Sequence, residues 1–382
     1  MSPPGSLPRV LAYADSAIWS GAEHVFTSLL ADLSHGHGFS VDAAAPRENT
    51  RLWTESQRAV GDSGRVFAVR AQPSRLAGLR LLDPSRTRRV RELAAAGRYD
   101  VGVVNLPSAE YGSGGLAMPL PALGLLHVHQ SLSAAGFRLG RARELVARRF
   151  VRRAARLAVV DPTAVEAAAA RWGVPAEHVA TLPLPAASVE TMPRPAARAA
   201  LGLPLDGTLV GVVGRLSVKQ KGQDVLLRAV ASLRDRGVDV AVVLAGNGRD
   251  AGLLRSLAAA LGLSDRLHLL GNLATADAVY SAVDLVAIPS LFEGLPLVAL
   301  EALAAGTPGV ASDVDGLRAV WPAEWRVPPS DAQALAAALA RVLAAPAEEA
   351  RAAIDRARQT AAGLTGEPGA SVAPLLLGLA GR

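Results

Sequence analysis

The feature that most constrains this chain is an end-to-end alternation of short apolar β-type runs with helical patterns. In the first half the runs are Val10–Ala14, Phe39–Ala44, Arg65–Val69, Val101–Asn105, Gly124–Val128 and Arg156–Val160. Two proline-bearing stretches, Thr181–Pro185 and Met192–Pro195, then break the periodicity and read as a linker. A second series follows at Thr208–Val213, Val238–Ala245, Arg266–Leu270, Val283–Pro289 and Gly309–Ser312. Strands that are apolar throughout, rather than alternating, are buried on both faces, which is the pattern of parallel sheets covered by helices. The chain is therefore expected to be α/β, with two Rossmann-like doubly wound domains over residues 1–190 and 191–360. Two such domains would face each other across a central cleft, a favoured ligand site. From Ala332 the sequence is Ala-rich helix, and residues 361–382 are expected to form a helix that packs back on the first domain.

A length of 382 residues fits two or three domains of roughly 150 residues each. No uncharged apolar run reaches about 18 residues, so a membrane span is not expected. The opening residues lack the charged start and long apolar stretch of a signal peptide, and cysteine is absent. These points favour a cytoplasmic protein without disulfides or thiolate metal sites.

The formal charge of +6 comes almost wholly from arginine, because the only lysines are Lys219 and Lys221. Eight arginines between Arg138 and Arg156 face a single acid, Glu144, on an amphipathic helical pattern. That basic face is either a solvated surface or a site for an anionic partner, such as a peripheral membrane contact or a phosphorylated acceptor. A nucleic-acid partner is not expected, because aromatics for base stacking are missing around it.

Two acids stand out in the second half. Glu293 follows the run Val283–Pro289, at the carboxyl end of a strand, where open parallel sheets bind ligands. Glu301 interrupts a helical stretch that is otherwise apolar on every side, with Pro296 placed to open the helix and Gly306 to stop it. A carboxylate there needs hydrogen-bond donors that the sequence does not display, and sugar hydroxyls are such donors. In the same half, the strand Thr208–Val213 runs into Gly214-Arg215, and Lys221-Gly222-Gln223-Asp224 opens the next helix. Two cations beside a helix amino terminus suit a diphosphate. The glycine pattern of a nucleoside-triphosphate phosphate loop is absent.

Together these residues resemble the retaining glycosyltransferases of family 4, which have the GT-B fold of two Rossmann-like domains. The resemblance rests on Gly214-Arg215, Lys221-Gly222, Gly246-Asn-Gly248, the Glu293/Glu301 pair and Gly306-Thr-Pro308. It implies that Arg215 and Lys221 hold the donor's diphosphate and that Glu301 binds the ribose hydroxyls. It also implies that Glu293 lies near the donor sugar with the amides of Gly294 and Leu295, and that Gly246 contributes to the donor site. The base would rest near Leu269–Gly271, centred on Leu270. In the first domain, Trp19-Ser-Gly-Ala-Glu23 resembles the family's glycine-rich loop, which assigns Gly21 to the donor side. Without the family, that segment reads equally as a plain strand-to-helix turn. In Leu125-Leu-His-Val-His-Gln130, His129 matches the family's sugar-facing histidine, and His127 is the less favoured partner.

There are departures from the pattern. Leu182-Pro-Leu-Pro stands where a Pro-Asn-Gly turn is common, Val314-Asp-Gly316 replaces a Gly-Gly pair, and Ala319 takes the place of a frequent acid. Asp313-Val-Asp315 has the form of a metal-binding Asp-x-Asp but is read as coincidence, so no metal site and no cofactor are expected. The implied activity is hexosyl transfer, with retention, from a nucleotide diphosphate sugar, a UDP-sugar being favoured. The acceptor could be a small molecule, a lipid-linked species or a glycan. Rival readings are a nucleotide-sugar epimerase of the same fold and a non-catalytic module that binds anionic surfaces through Arg138–Arg156.

Overall fold

The computed structural model describes residues 7–71, 84–108, 118–128 and 156–381. Two compact units emerge, Met1–Pro185 with Leu364–Arg382, and Ala186–Gly363. The Arg138–Arg153 cluster, His129 and most of the segment 107–115 lie outside the described residues. Arg156, counted above with the basic helix, opens a strand.

Unit 1 is built on a parallel sheet of β1 (Arg9–Tyr13), β2 (Ser40–Pro46), β3 (Val66–Val69), β4 (Val101–Ser108), β5 (Ala122–Val128), β6 (Arg156–Val159) and β7 (Val179–Thr181). Its order is β3-β2-β1-β4-β5-β6-β7. Val10, Leu11, Val41, Val103, Val104 and Leu125 are essentially inaccessible, as strands covered on both faces require. One buried acid, Asp42, ties the amino ends of neighbouring strands together. Its carboxylate accepts from the Arg65 guanidinium at 2.8 Å and from the Tyr99 hydroxyl at 2.5 Å. Burial pushes that carboxyl up, but the Arg65 and Tyr99 hydrogen bonds outweigh it and hold Asp42 below its ordinary value.

The two units divide at Pro185/Ala186, within the region read as a linker, and the first proline-bearing stretch, Thr181–Pro185, is held by unit 1. Thr181 ends β7, and Leu182 and Leu184 are buried in unit 1. The Leu184 amide donates to the Leu364 carbonyl at 3.0 Å, and the Gly366 amide donates back to Leu184 at 2.9 Å. Proline is tolerated at a sheet edge where its missing N–H is not needed. Pro183 and Pro185 alternate with residues that do bond, so the stretch stays extended and captures the returning chain. The last helix, Pro368–Leu379, lies against the helix Gly21–Ala31, the turn Asp32–Gly36 and β5, with Val372 and Leu376 buried.

Unit 2 carries β8 (Thr208–Val213), β9 (Val240–Ala245), β10 (Leu267–Gly271), β11 (Leu285–Ile288), β12 (Gly309–Ser312) and β13 (Arg326–Val327) in the order β10-β9-β8-β11-β12-β13. Leu226, Ala229, Val230 and Leu233 of the helix Gln223–Asp235 are fully buried, as their spacing predicts. Every strand expected from the apolar runs is present, Thr208–Val213 and Gly309–Ser312 with the bounds expected and the others with ends shifted by up to three residues. The two that sequence reading missed, β7 and β13, are too short to leave a pattern. The buried Arg198 seals the amino edge of this sheet. It donates to the carbonyls of Ala282, Leu205 and Gly207 and to Asp284, which also accepts from the Leu209 amide.

Candidate functional site

In unit 2 the strand order reverses at β8 and β11. The chain leaves β8 toward β9 and leaves β11 toward β12, so the two connections diverge and a crevice opens at the strands' carboxyl ends. The loops that flank this switch point are 214–222 after β8 and 289–296 after β11. They are fastened to each other: the Leu291 amide donates to the Gln220 carbonyl at 2.7 Å. Gly222, in the left-handed region at φ 61°, makes the contact close, since a Cβ there would sit 2.0 Å from the Pro289 carbonyl oxygen. Only glycine meets both demands.

Lys221 and Glu293 meet across the crevice, Nζ to Oε1, at 2.5 Å. The Glu293 side chain is 7% exposed and that of Lys221 17%. Ser290 adds a hydroxyl donor to the same Glu293 oxygen at 2.6 Å. Thus the cation and the acid, 72 residues apart in sequence, share one position at the switch point. Arg215 stands exposed on the same loop, its guanidinium donating to Gln220 at 2.9 Å. Beneath it, the fully buried Gln223 donates from Nε2 to the Arg215 carbonyl at 2.9 Å.

The β8 loop is also laced to the loop after β9. Leu216 donates to the Asn247 carbonyl at 3.0 Å, and the Val218 amide donates to Asp250 at 2.9 Å. Gly246 in turn donates to Gly271 at the end of β10 at 2.7 Å, and Leu270 lies half-buried on that edge strand. Arg215, Lys221, Gly246 and Glu293 therefore all lie on loops at the carboxyl edge of one sheet. Gly294 and Leu295 are buried in the Glu293 loop, immediately before the helix Leu297–Ala305. Pro296 precedes that helix instead of opening it; at φ −79° and ψ 122° it is still extended.

Glu301 is half-buried on that helix, and the donor that its sequence context lacked is Tyr280. The Tyr280 hydroxyl donates to Glu301 Oε2 at 2.6 Å. Burial first, and the Glu301 charge second, push the Tyr280 phenol far above its usual range, so it remains a proton donor. Thr307 then holds the Tyr280 carbonyl at 2.9 Å. Nothing in the sequence marks Tyr280, which comes from the helix Asp277–Ala282, before β11. The Asp-x-Asp pair is taken up by arginine: Asp313 pairs with Arg318 and Arg326, and Asp315 pairs with Arg318.

Unit 1 reverses its strand order between β1 and β4. Gly21 is the first residue of the helix Gly21–Ala31 after β1. Two residues on, Glu23 is fully buried and accepts from the Ser20 hydroxyl at 2.6 Å. Desolvation pushes the Glu23 carboxyl up, against the pull of Ser20. At the end of β5, His127 is buried against Asn105 of β4, Nε2 to Oδ1 at 2.7 Å. Burial lowers His127 to about 3, so the ring is neutral and donates from Nε2. The Asn105 partnership was not visible in the sequence, since it depends on the β4–β5 register.

These features define a two-unit α/β protein whose second unit offers a cationic and acidic crevice at a topological switch point. Two family models cover most of the chain: "Glycosyl transferase 4-like domain" matches residues 20–185 and "Glycosyl transferases group 1" matches residues 193–360. The chain belongs to the group 1 glycosyl transferases. Among curated proteins it is similar to the D-inositol 3-phosphate glycosyltransferase of Mycobacterium leprae, 43% identical over 99 residues. That match spans 23% of this chain and only 21% of the relative. Among solved structures, Anabaena HepE in complex with UDP and glucose aligns over 97% of this chain and 99% of its own, at TM-score 0.75 and 21% identity. Sucrose-phosphate synthase from Thermosynechococcus elongatus aligns over 97% and 98%, at TM-score 0.75 and 23% identity. These structural likenesses establish the shared GT-B fold.

Proposed function

We propose that this chain is a retaining glycosyltransferase that moves a sugar from a nucleotide diphosphate sugar, with UDP-sugars favoured, to a hydroxyl-bearing acceptor. The observation that carries the reading is the meeting of Lys221 and Glu293 at the switch point of unit 2, with Arg215 on the same loop. A diphosphate entering this crevice finds two cations and the amino end of the helix Gln223–Asp235. Family membership supports the reading, as does the UDP and glucose held by the similar HepE structure.

In this reading the bond between the sugar's anomeric carbon and the diphosphate oxygen breaks while a bond to the acceptor oxygen forms on the same face. The acceptor's proton passes to the departing diphosphate. Charge grows on the diphosphate during that step, and Lys221 and Arg215 stabilise it where it develops. Glu293 shares the Lys221 ammonium and orients it toward the sugar end of the donor. Glu301, held by Tyr280, takes the ribose hydroxyls, and Leu270 and its neighbours line the base.

The test is a thermal-shift panel of nucleotide sugars followed by turnover of the best binder. A ligand that binds only the folded state raises apparent stability by mass action, so the true donor gives the largest shift. Nucleotide release should require acceptor, and the product's anomeric signal should match that of the donor. Nucleotide sugar altered without acceptor would instead point to an epimerase, and no shift with any nucleotide sugar would defeat the proposal.

A further inference from the structure

The residue that follows the β8 loop has a chemistry the fold alone does not explain. Gln223 is the first residue of the helix Gln223–Asp235 and is fully buried. Its Nε2 donates to the Arg215 carbonyl, but its Oε1 is buried with no hydrogen-bond partner among the described residues. A buried acceptor left unmade costs free energy, whereas methionine or leucine of similar volume would carry no such cost. What glutamine supplies, and an apolar residue does not, is the bond to Arg215. That bond joins the residue just after the loop to the loop's second residue, closing the segment that carries both Arg215 and Lys221 into a ring.

We infer that Gln223 is a positioning residue for the donor's diphosphate: its amide fixes the Gly214–Gly222 loop so that Arg215 and Lys221 present their charges at one place. The inference rests on the proposed role of this loop as the diphosphate cradle. Backbone bonds hold the loop at Gly214, which donates to Ala245, and further along through Leu216 and Val218 to the β9 side and through Gln220 to Leu291. Among the described residues, Gln223 alone grips the backbone of Arg215 by a side chain. Preorganised loops bind anions more tightly because less ordering remains to be done on binding.

The experiment compares the wild-type full chain with Gln223→Met and Gln223→Glu in three measurements. The first is amide hydrogen exchange over residues 214–222, which needs no ligand. Gln223→Met should exchange several-fold faster there while the rest of unit 2 and the melting temperature stay close to wild type. The second is calorimetric binding of UDP, which should weaken about tenfold in Gln223→Met. The third is the pH dependence of UDP binding by Gln223→Glu, taken relative to wild type. A protonated glutamic acid can still donate to the Arg215 carbonyl and an ionised one cannot, so the ratio should fall as pH rises from about 5.5 to 8.5.

Unchanged exchange over 214–222 in Gln223→Met overturns the inference, whatever the ligand results. So does a Gln223→Met chain that no longer folds, since the amide would then serve the core and not the loop. Failure of the wild-type chain itself to bind UDP strikes the choice of donor, and the exchange measurement still decides the role of Gln223.

Discussion

Removing Lys221 should reveal two separate duties of one ammonium group. Its first is to accompany Glu293, a carboxylate 7% exposed whose other hydrogen-bond donor among the described residues is Ser290. Breaking a buried pair by deleting one partner costs about 3–5 kcal/mol, and the 17% exposure of the Lys221 side chain argues for the lower end, about 3 kcal/mol. For a unit of this size each kcal/mol moves the melting point by about 2–4 °C, so Lys221→Ala should melt about 6–12 °C lower. Its second duty, in the proposed mechanism, is to stabilise charge on the departing diphosphate, a contact of the kind whose loss lowers turnover about 10²–10³-fold. The double variant Lys221→Ala/Glu293→Gln separates the two. A neutral amide needs no counter-charge and still accepts from Ser290, so most of the lost stability should return, a coupling of about 2 kcal/mol. Turnover should not return, because the diphosphate still lacks its cation. Differential scanning calorimetry and steady-state kinetics on all four proteins of the cycle read both quantities. Recovery of turnover in step with the melting point would refute the reasoning and leave Lys221 a purely structural partner of Glu293.

Three further outcomes follow from the geometry. Tyr280→Phe deletes the hydroxyl that fixes Glu301, so stability should fall by about 1–2 kcal/mol. Its donor KM should rise several-fold with kcat nearly unchanged, which steady-state kinetics against donor concentration will check. Gly316→Ala should cut turnover at least tenfold, because its Cβ would lie 1.4 Å from the Gly294 carbonyl oxygen and must push the Glu293 loop. The overpacking itself should cost about 1–3 kcal/mol, and normal kcat despite the lower melting point would show that the loop's placement is immaterial. His127 is neutral in the fold down to about pH 3 but is protonated near 6.5 when unfolded. Between those values the unfolded chain binds the extra proton, so stability falls on acidification by about 1.4 kcal/mol per pH unit from this group. Glu23, whose carboxyl is raised, acts in the opposite direction just above its ordinary value, so the relevant quantity is the difference between wild type and His127→Gln. Urea unfolding at several pH values should show a steeper acid loss in wild type, and parallel curves would disprove the assignment.

The amino-acid sequence by itself determined the α/β class, the two series of parallel strands and the chemistry available at their ends. It could do so because strands buried on both faces must be apolar along their length, and because glycine and cations at strand ends leave a local signature. Thus the runs Val238–Ala245 and Thr208–Val213, which hold β9 and β8, were legible, as were Arg215, Lys221 and Glu293 as separate candidates. The tertiary structure alone decided which of these groups meet. The Lys221–Glu293 contact arises because β8 and β11, distant in the chain, are neighbours in the sheet. Tyr280 became the partner of Glu301, and Asn105 that of His127, through packing and register that no local pattern encodes. The hold of unit 1 on the stretch Thr181–Pro185, which ends at the division between the units, has the same cause. Its prolines signal a break in local structure, whereas its place in unit 1 comes from hydrogen bonds to residues 364–366, contributed by the far end of the chain. Local propensity acts over a few residues, and partner choice for a buried charge or an edge strand is settled only when the chain closes on itself.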